Sequence, residues 1–501
     1  MNQITLRRML FLSAFLLFCM VQAQAQTVSG TVSDANGPLP GANVIVQGTT
    51  NGAITDFDGK YTLSNVPADA VLVFSFVGYN TQQIPVKGRS TINVTLEENA
   101  AALSEVVVIG YGTQSVKDAT GAVSVVSSDD FNKGVISSPE QLIQGKTAGV
   151  QITQSSGEPG AGINVRIRGT ASVRSNNNPL FVVDGVPLAS GDTEAGGADI
   201  GAGASSAKNP LSFLNPNDIA SVSILKDASA TAIYGSRGAN GVIIITTKSG
   251  QSGTGGKFEL SASTSYSTPA NRFDLLGREQ YLSAVTQFGG DATALDYEGN
   301  TDWQDVVLRN TISQNHTIAY SNNYGNGYVR ASLGYVDQLG IVENSSQEKI
   351  TGRLNGSQRF FNDKLKIDFN GTLSRVNDES PLISNNAGSA GDLLGAAYFA
   401  NPTWPDDPDF STGAGDLVPS ALLAYYQDMT HTNRTLANLS ASYSILDNLV
   451  AKATVGFDES DSNKNQALSS KVTGFTNGTP GNGRAVYATV YTKSKLFDFT
   501  L

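Results

Sequence analysis

Residues 209–250 read NPLSFLNPNDIASVSILKDASATAIYGSRGANGVIIITTKSG, and the rest of the chain is interpreted outward from them. Asn215-Pro216-Asn217-Asp218 joins a turn to a helix-start signal. Ile219–Leu225 is apolar with β-branched residues and predicts a short strand. Lys226-Asp227 and the small residues up to Ala232 tolerate helix. Tyr234-Gly235-Ser236-Arg237-Gly238-Ala239-Asn240-Gly241 places three glycines in eight positions, a tight bend. Val242–Thr247 is a β-branched run that predicts a buried strand, ended by Lys248-Ser249-Gly250. Taken by themselves these residues describe a strand–helix–strand unit of an α/β domain.

The wording is more specific than the pattern. Asn209-Pro210-Leu211, Asn215-Pro216, Asp218-Ile219 and the whole run from Leu225 to Gly241 resemble the last part of the plug domain in the SusC/RagA family of TonB-dependent outer-membrane transporters. Gly162-Ile163-Asn164-Val165-Arg166-Ile167-Arg168-Gly169 and Pro179–Leu188, with Asp184-Gly185 at its turn, resemble the same plug. The resemblance marks Arg166, Arg168, Gly169, Asp184, Gly185, Lys226, Asp227, Tyr234, Gly235, Arg237, Gly238, Asn240 and Gly241 as a plug signature.

The totals narrow the classes independently. A length of 501 residues suggests several domains. A net charge of −11 argues against nucleic acid as a partner. Abundant glycine (52) with only 15% charged residues fits β-structure rich in turns. With a single apolar run near membrane length, any membrane part enters as a β-barrel. Cys19 is the single cysteine, and His316 and His431 are the two histidines. That leaves no material for disulfides and little for a zinc site. No residues assemble for nucleophilic, acid–base or metal chemistry, so no enzyme activity and no cofactor are expected.

Residues 1–25 read as a signal peptide: Arg7 and Arg8, then apolar Met9–Val21, then Ala23-Gln24-Ala25 as the cleavage site. A lipoprotein signal ending at Cys19 competes, but Phe18 is too bulky for the preceding position. The run is also shorter than the about 20 residues that a spanning helix needs.

Residues 26–97 alternate with period two. Val28, Gly30 and Val32, then Ala42, Val44 and Val46, then Tyr61 and Leu63, then Val71, Val73 and Ser75, then Ile92, Val94 and Leu96 mark strands. Asn36-Gly37-Pro38, Asn51-Gly52 and Asp58-Gly59 mark the turns, which predicts a small β-sandwich able to fold alone from Gln26 to about Leu96. Gly30-Thr31-Val32, Pro40–Val44, Thr55–Tyr61 and Phe76-Val77-Gly78-Tyr79 resemble the carboxypeptidase-regulatory-like (prealbumin-like) module. Asp56-x-Asp58-Gly59 lacks the third acid and the closing Glu of a calcium loop, so it reads as a hairpin turn.

Residues 98–114 are a linker around Glu105-Val106-Val107-Val108-Ile109-Gly110-Tyr111. Four β-branched residues in a row also suit a buried strand of a neighbouring domain. The family resemblance places the TonB box here. Residues 115–250 form one α+β segment, with a strand at Gly121–Val126, a short helix over Pro139–Lys146 and a Gly/Ala/Ser-rich loop at 191–207. Gly145-Lys146-Thr147 is not a phosphate loop, because Glu140 stands where its first glycine belongs.

From 251 onward the pattern is of long two-faced strands. Leu365, Ile367, Phe369, Gly371 and Leu373 alternate with polar Lys366, Asp368, Asn370 and Thr372. Candidate strands lie near 257–267, 312–321, 327–337, 348–360, 364–376, 433–444, 448–459 and 485–501. Short connections at 322–326, 361–363 and 445–447 alternate with longer ones, the parity of a transmembrane β-barrel. Trp404, in one long loop, suits ligand stacking, a membrane girdle or a loop core. Plugged outer-membrane transporters use about 22 strands, so these are expected to be the first strands of an antiparallel barrel that continues past Leu501, and the 501 residues alone are expected neither to insert nor to transport.

The chain is thus expected to be mainly β: signal peptide, β-sandwich, TonB box, plug, barrel. The resemblance implies energised import of an oligosaccharide or a peptide. The partners implied are TonB with its ExbB/ExbD complex, a SusD-like surface lipoprotein and outer-membrane lipid. A siderophore or cobalamin receptor shares plug and barrel, but the sandwich and the 209–250 wording argue against it. A non-transporting surface β-protein needs neither TonB box nor plug.

Overall fold

A computed structural model describes residues 25–97 (apart from 35–36, 48, 50, 77–78 and 80), 106–109, 112–115, 123–170, 177–189, 195, 208–250, 255–383, 392–476 (apart from 414 and 447) and 482–501. The signal-peptide reading and almost all of the 191–207 loop lie outside the described residues. The chain divides into two compact units, residues 1–107 with 115–118, and 108–114 with 119–501.

In the first unit, β1 (Ala25–Ser33), β4 (Lys60–Pro67) and β7 (Val94–Thr95) form one sheet, ordered β4-β1-β7. β2 (Asn43–Val46), β3 (Gly52–Ile54), β5 (Val71–Ser75) and β6 (Gln82–Pro85) form the other, ordered β3-β2-β5-β6. Alternation does what the sequence requires: Val28, Val32, Val44, Val46, Leu63 and Val94 are buried in one core. β5 differs from its expected register, since Leu72 and Phe74 face inward while Val71 and Val73 are half-buried. Its Val-Leu-Val-Phe run is apolar on both faces, so hydrophobicity could not fix the parity. The Asp56–Lys60 segment is a turn: Asp56 Oδ1 accepts from the Asp58 and Lys60 amides, and Gly59 sits at φ 70°.

β8 (Val106–Ile109) and β9 (Gly112–Ser115) form a two-stranded sheet of their own. Among the described residues neither strand joins a sandwich sheet or the sheet that follows.

The plug segment has a five-stranded sheet, ordered β10-β15-β16-β13-β14, from β10 (Val123–Ser127), β13 (Leu180–Val183), β14 (Val186–Pro187), β15 (Ile219–Leu225) and β16 (Val242–Thr247). A hairpin of β11 (Val150–Gln154) and β12 (Ile163–Ile167) packs with it over a shared apolar core. The expected helix is short, α1 (Pro139–Leu142): Ile143 already leaves helical angles and Gly145 turns at φ 75°. α2 (Ala228–Thr231) leads into a 3-10 stretch over Ala232–Gly238, bent at Gly235 (φ 60°, ψ −145°).

Eight strands then pair strictly with their chain neighbours: β17 (Gly255–Ser267), β18 (Thr311–Asn323), β19 (Gly327–Leu339), β20 (Ser346–Phe360), β21 (Leu365–Glu379), β22 (Tyr426–Leu446), β23 (Leu449–Leu468) and β24 (Arg484–Thr500). All eight candidate segments are strands. β22 and β23 run much further than expected, because Gln427, Asp428, Asn463 and Gln466 extend the ladder without apolar alternation. The sheet inverts the usual distribution. Ile318, Leu333, Leu354, Leu373, Leu439 and Val455 are exposed, whereas Thr317, Arg330, Lys349, Arg353, Arg434 and Asp458 are buried.

Among the described residues the long connections are partly helical. α3 (Arg278–Gln287), α4 (Trp303–Val307), α5 (Leu393–Phe399), α6 (Pro419–Tyr425) and α7 (Thr473–Thr476) lie in them. Trp303, Leu393, Ala397, Trp404, Leu422 and Val472 share a separate apolar core, which assigns Trp404 to the loop core. No helix among the described residues is long and apolar enough to cross a membrane, which says nothing of strands.

The sandwich carries one sharp dependence. Buried Tyr61 donates through its hydroxyl to Ile92 O at 2.9 Å and packs edge-on against Phe74. Burial, opposed by Arg89, raises its phenol to about 12 from 10.0. A raised acid favours the neutral form in the fold, so stability is intact below pH 10 and falls as pH climbs toward 12. In the isolated 26–97 fragment, Tyr61→Phe is expected to cost about 1 kcal/mol at pH 7. It should also flatten the alkaline part of the urea-midpoint profile.

Candidate functional site

The sequence places acids and amides at the plug's turns, and the wall presents buried cations and hydroxyls to meet them. Asp184 sits at φ 47° beside Gly185 at φ 87°, a turn that only short polar side chains and glycine adopt readily. That turn aims the Asp184 carboxylate at the Thr247 amide and hydroxyl, both 3.0 Å away, and at the Arg353 guanidinium of β20, 2.7 Å away. Arg353 also donates to Thr247 and to Thr372, and Asn438 of β22 donates to Asp184 O at 2.7 Å.

Asp218 repeats the arrangement one strand over. Its carboxylate accepts from Arg330 at 3.0 Å and from Ser332 at 2.8 Å, both on β19. Arg330 continues to Glu259, which also pairs with Lys248 at 3.1 Å. Asn215 and Asn217 donate to Thr317, Lys349 to Leu214 O, and Thr351 to Phe213 O. Arg434 joins Asp458 to Pro210 O and stacks over Phe213 at 4.2 Å. The 209–250 stretch is therefore the plug's main seat on the wall. Among the described residues the wall contributes one side chain, Leu436, to the plug's larger apolar core.

The signature residues divide into two groups. Asp184 and Gly185 belong to the seat. Arg166, Arg168, Gly169, Lys226, Asp227, Asn240 and Gly241 gather at another end of the plug. There Arg168 pairs with Asp227, Arg166 bonds Asn178, Lys226 donates to Ala148 O at 2.8 Å and Asn240 reaches Asn178 O. Burial, reinforced by Arg168 and opposed by Asp227, lowers the Lys226 ammonium. Tyr234 is buried in a small core with Leu180 and Val242. Gly235 makes the bend, and Gly238 and Gly241 are close approaches: a Cβ on Gly241 would lie 2.6 Å from Ile167 Cδ1. Arg237 is exposed.

Sequence reasoning missed Asp218, Arg330, Arg353 and Arg434 as functional residues. The signal for Arg330, Arg353 and Arg434 was present as charged residues on the polar face of alternating strands, and that for Asp218 as the acid closing the Asn215–Asp218 turn. Glu140, which excluded the phosphate loop, is a buried carboxyl raised by burial and held by Asn209 at 3.2 Å. Within Glu105–Tyr111, Val106–Ile109 is extended; Glu105, Gly110 and Tyr111 lie outside the described residues. No group of three or more His, Cys, Asp or Glu among the described residues could hold a metal ion.

Comparison with known proteins agrees with this geometry. Residues 28–108 match the CarboxypepD_reg-like domain, a match that runs into the segment read as linker, and residues 115–242 match the TonB-dependent receptor plug domain. The chain is similar to the TonB-dependent receptor SusC of Bacteroides thetaiotaomicron, 40% identical over 405 residues that cover 79% of this chain and 38% of that protein. A TonB-dependent receptor of Formosa agariphila is 36% identical over 473 residues, covering 91% of this chain and 45% of that one. Among solved structures, the RagAB peptide importer in its 'open-open' state superposes with a TM-score of 0.60 at 25% identity, over 73% of this chain and 43% of that one. The chain spans less than half the length of these relatives.

Removing one partner of a buried pair strands the other charge. Asp184→Ala should therefore weaken seating of the plug by about 3–5 kcal/mol. In the full-length protein this should appear as plug cleavage by protease at denaturant concentrations that leave wild type intact.

Proposed function

We propose that this chain, which matches the CarboxypepD_reg-like and TonB-dependent receptor plug domains and is similar to SusC, serves energised import of an oligosaccharide or a peptide across the outer membrane. The observation that carries this reading is the inverted sheet: an apolar outer face suited to lipid, and a polar inner face on which the plug is hydrogen-bonded. An occluded wall needs work to open it. The outer membrane holds no ATP, so the work arrives by contact from the inner membrane, through TonB with ExbB/ExbD. Residues 1–25 are the export signal, and the sandwich faces the periplasm.

Glu105–Tyr111 is the TonB contact. A β-branched strand with one small neighbour can exchange that neighbour for the edge of a partner's sheet, and its backbone bonds then resist a pull together. A SusD-like lipoprotein would deliver substrate at the long-loop side. The peptide named for RagAB supports the peptide reading, and the SusC homology supports a receptor of that general kind.

Val107→Pro in the full-length receptor removes one N–H from the strand. Uptake should fall sharply while surface expression, plug seating and substrate binding stay at wild-type levels. Normal uptake by this variant would sink the TonB-contact assignment; lost expression would instead make the segment structural.

A further inference from the structure

The long connections hold a groove of about 490 Å³. Its walls are the segment leading into α3, the first residues of α4 and the last turn of α5. Phe273, Leu275, Leu276, Tyr398 and Phe399 supply its apolar surface, and the Phe273 and Tyr398 rings meet edge-on at 4.9 Å. Phe273, Leu275, Leu276 and Phe399 are exposed, although the same layer buries Trp303, Leu393 and Trp404. Bulky apolar side chains gathered in the open beside a packed core mark a binding surface.

The charge at this groove has one sign. Asp274 and Asp302 are its charged liners; both are exposed, and neither meets a cation among the described residues. The neighbouring cations are already taken: Arg272 pairs with Asp305, Arg278 with Asp296, Arg309 with Glu343 and Lys471 with Asp409. Glu279, Asp291 and Glu298 add to the acidic surplus of residues 268–311. Residues 380–425 contain five aspartates and no lysine, arginine or histidine. The field over this layer is therefore negative.

Resting on the import reading above, we propose that this groove receives a peptide in which lysine or arginine stands next to a bulky apolar residue. The apolar side chain lies against Phe273, Leu276 and Phe399, and the cation meets Asp274 or Asp302. Of the two substrate classes, a peptide supplies both halves. A neutral oligosaccharide carries no cation, and an acidic one is repelled. Covering the apolar half releases water, and the surplus negative charge draws the basic half from a distance, an attraction that salt screens.

The test is binding to the purified full-length receptor, read by fluorescence anisotropy. The probes are two labelled hexapeptides, alike but for lysine or glutamate on either side of a Leu-Phe pair, and labelled maltohexaose. The lysine peptide should bind about five-fold more tightly than the glutamate peptide, the amount that two exposed ion pairs supply. The preference should shrink in about 0.5 M salt. Asp274→Asn combined with Asp302→Asn should remove most of it. Asp302 caps α4 by accepting from the Gln304 amide, and asparagine caps equally well, so the double variant keeps the helix start. Phe399→Ser should weaken both peptides alike. Equal binding of the two peptides, a preference that the double variant leaves unchanged, or tighter binding of maltohexaose would each overturn the proposal. Binding needs no TonB, so a receptor that binds the lysine peptide yet imports none of it keeps the groove and loses the import reading. Uptake of that peptide unaltered in the double variant does the reverse.

Discussion

A sheet that is apolar on its outer face and polar on its inner one cannot use hydrophobic burial to hold anything on that inner face. That constraint organises the larger unit. The period-two alternation commits Ile318, Leu333, Leu354 and Leu373 to the outside and leaves hydroxyls, amides and charges inside. A domain seated there must be held by polar contacts, and buried polar contacts have to be complete. The plug therefore presents Asp184, Asp218 and main-chain carbonyls at its turns, where backbone geometry can aim them, against Arg353, Arg330, Lys349 and Arg434.

How much of this was legible depends on what each residue had to satisfy. The eight wall strands were readable because an apolar outer face and a polar face toward the plug enforce strict alternation. Where that pressure ends, so does the signal: β22 and β23 extend through Gln427, Asp428 and Gln466, which sit above the apolar band. β5 failed for the opposite reason, since Val71, Leu72, Val73 and Phe74 are apolar on both faces. Of the site, Asp184 and Gly185 were marked by resemblance alone, and their partners Arg353 and Asn438 lie far along the chain. No local pattern can announce a contact closed by the barrel's curvature.

The long loops show a third case. Trp303 and Trp404 lie about a hundred residues apart, yet both fill one core, and the Trp303 indole donates to Asn401 O at 3.0 Å. Short helices too small to bury a face alone become stable by sharing one. Arg278 and Asp296 fix the start of α3 with a forked pair, the hydrogen bonds from Arg278 holding the Asp296 carboxyl below its usual range. The rim above the wall is thus built as a packed layer rather than as free loops.

The same chemistry that seats the plug also makes it separable. An apolar interface, once parted, exposes surface that water rejects, and the cost grows with area. An interface of ion pairs and hydrogen bonds exchanges each contact for one with water, so its net strength is modest. The plug keeps its own apolar core largely to itself, with Leu436 as the wall's intrusion into it. Parting plug from wall would then break Asp184–Arg353 and Asp218–Arg330 and withdraw Leu436 from that core. What holds the plug together is thus chemically distinct from what holds it in place.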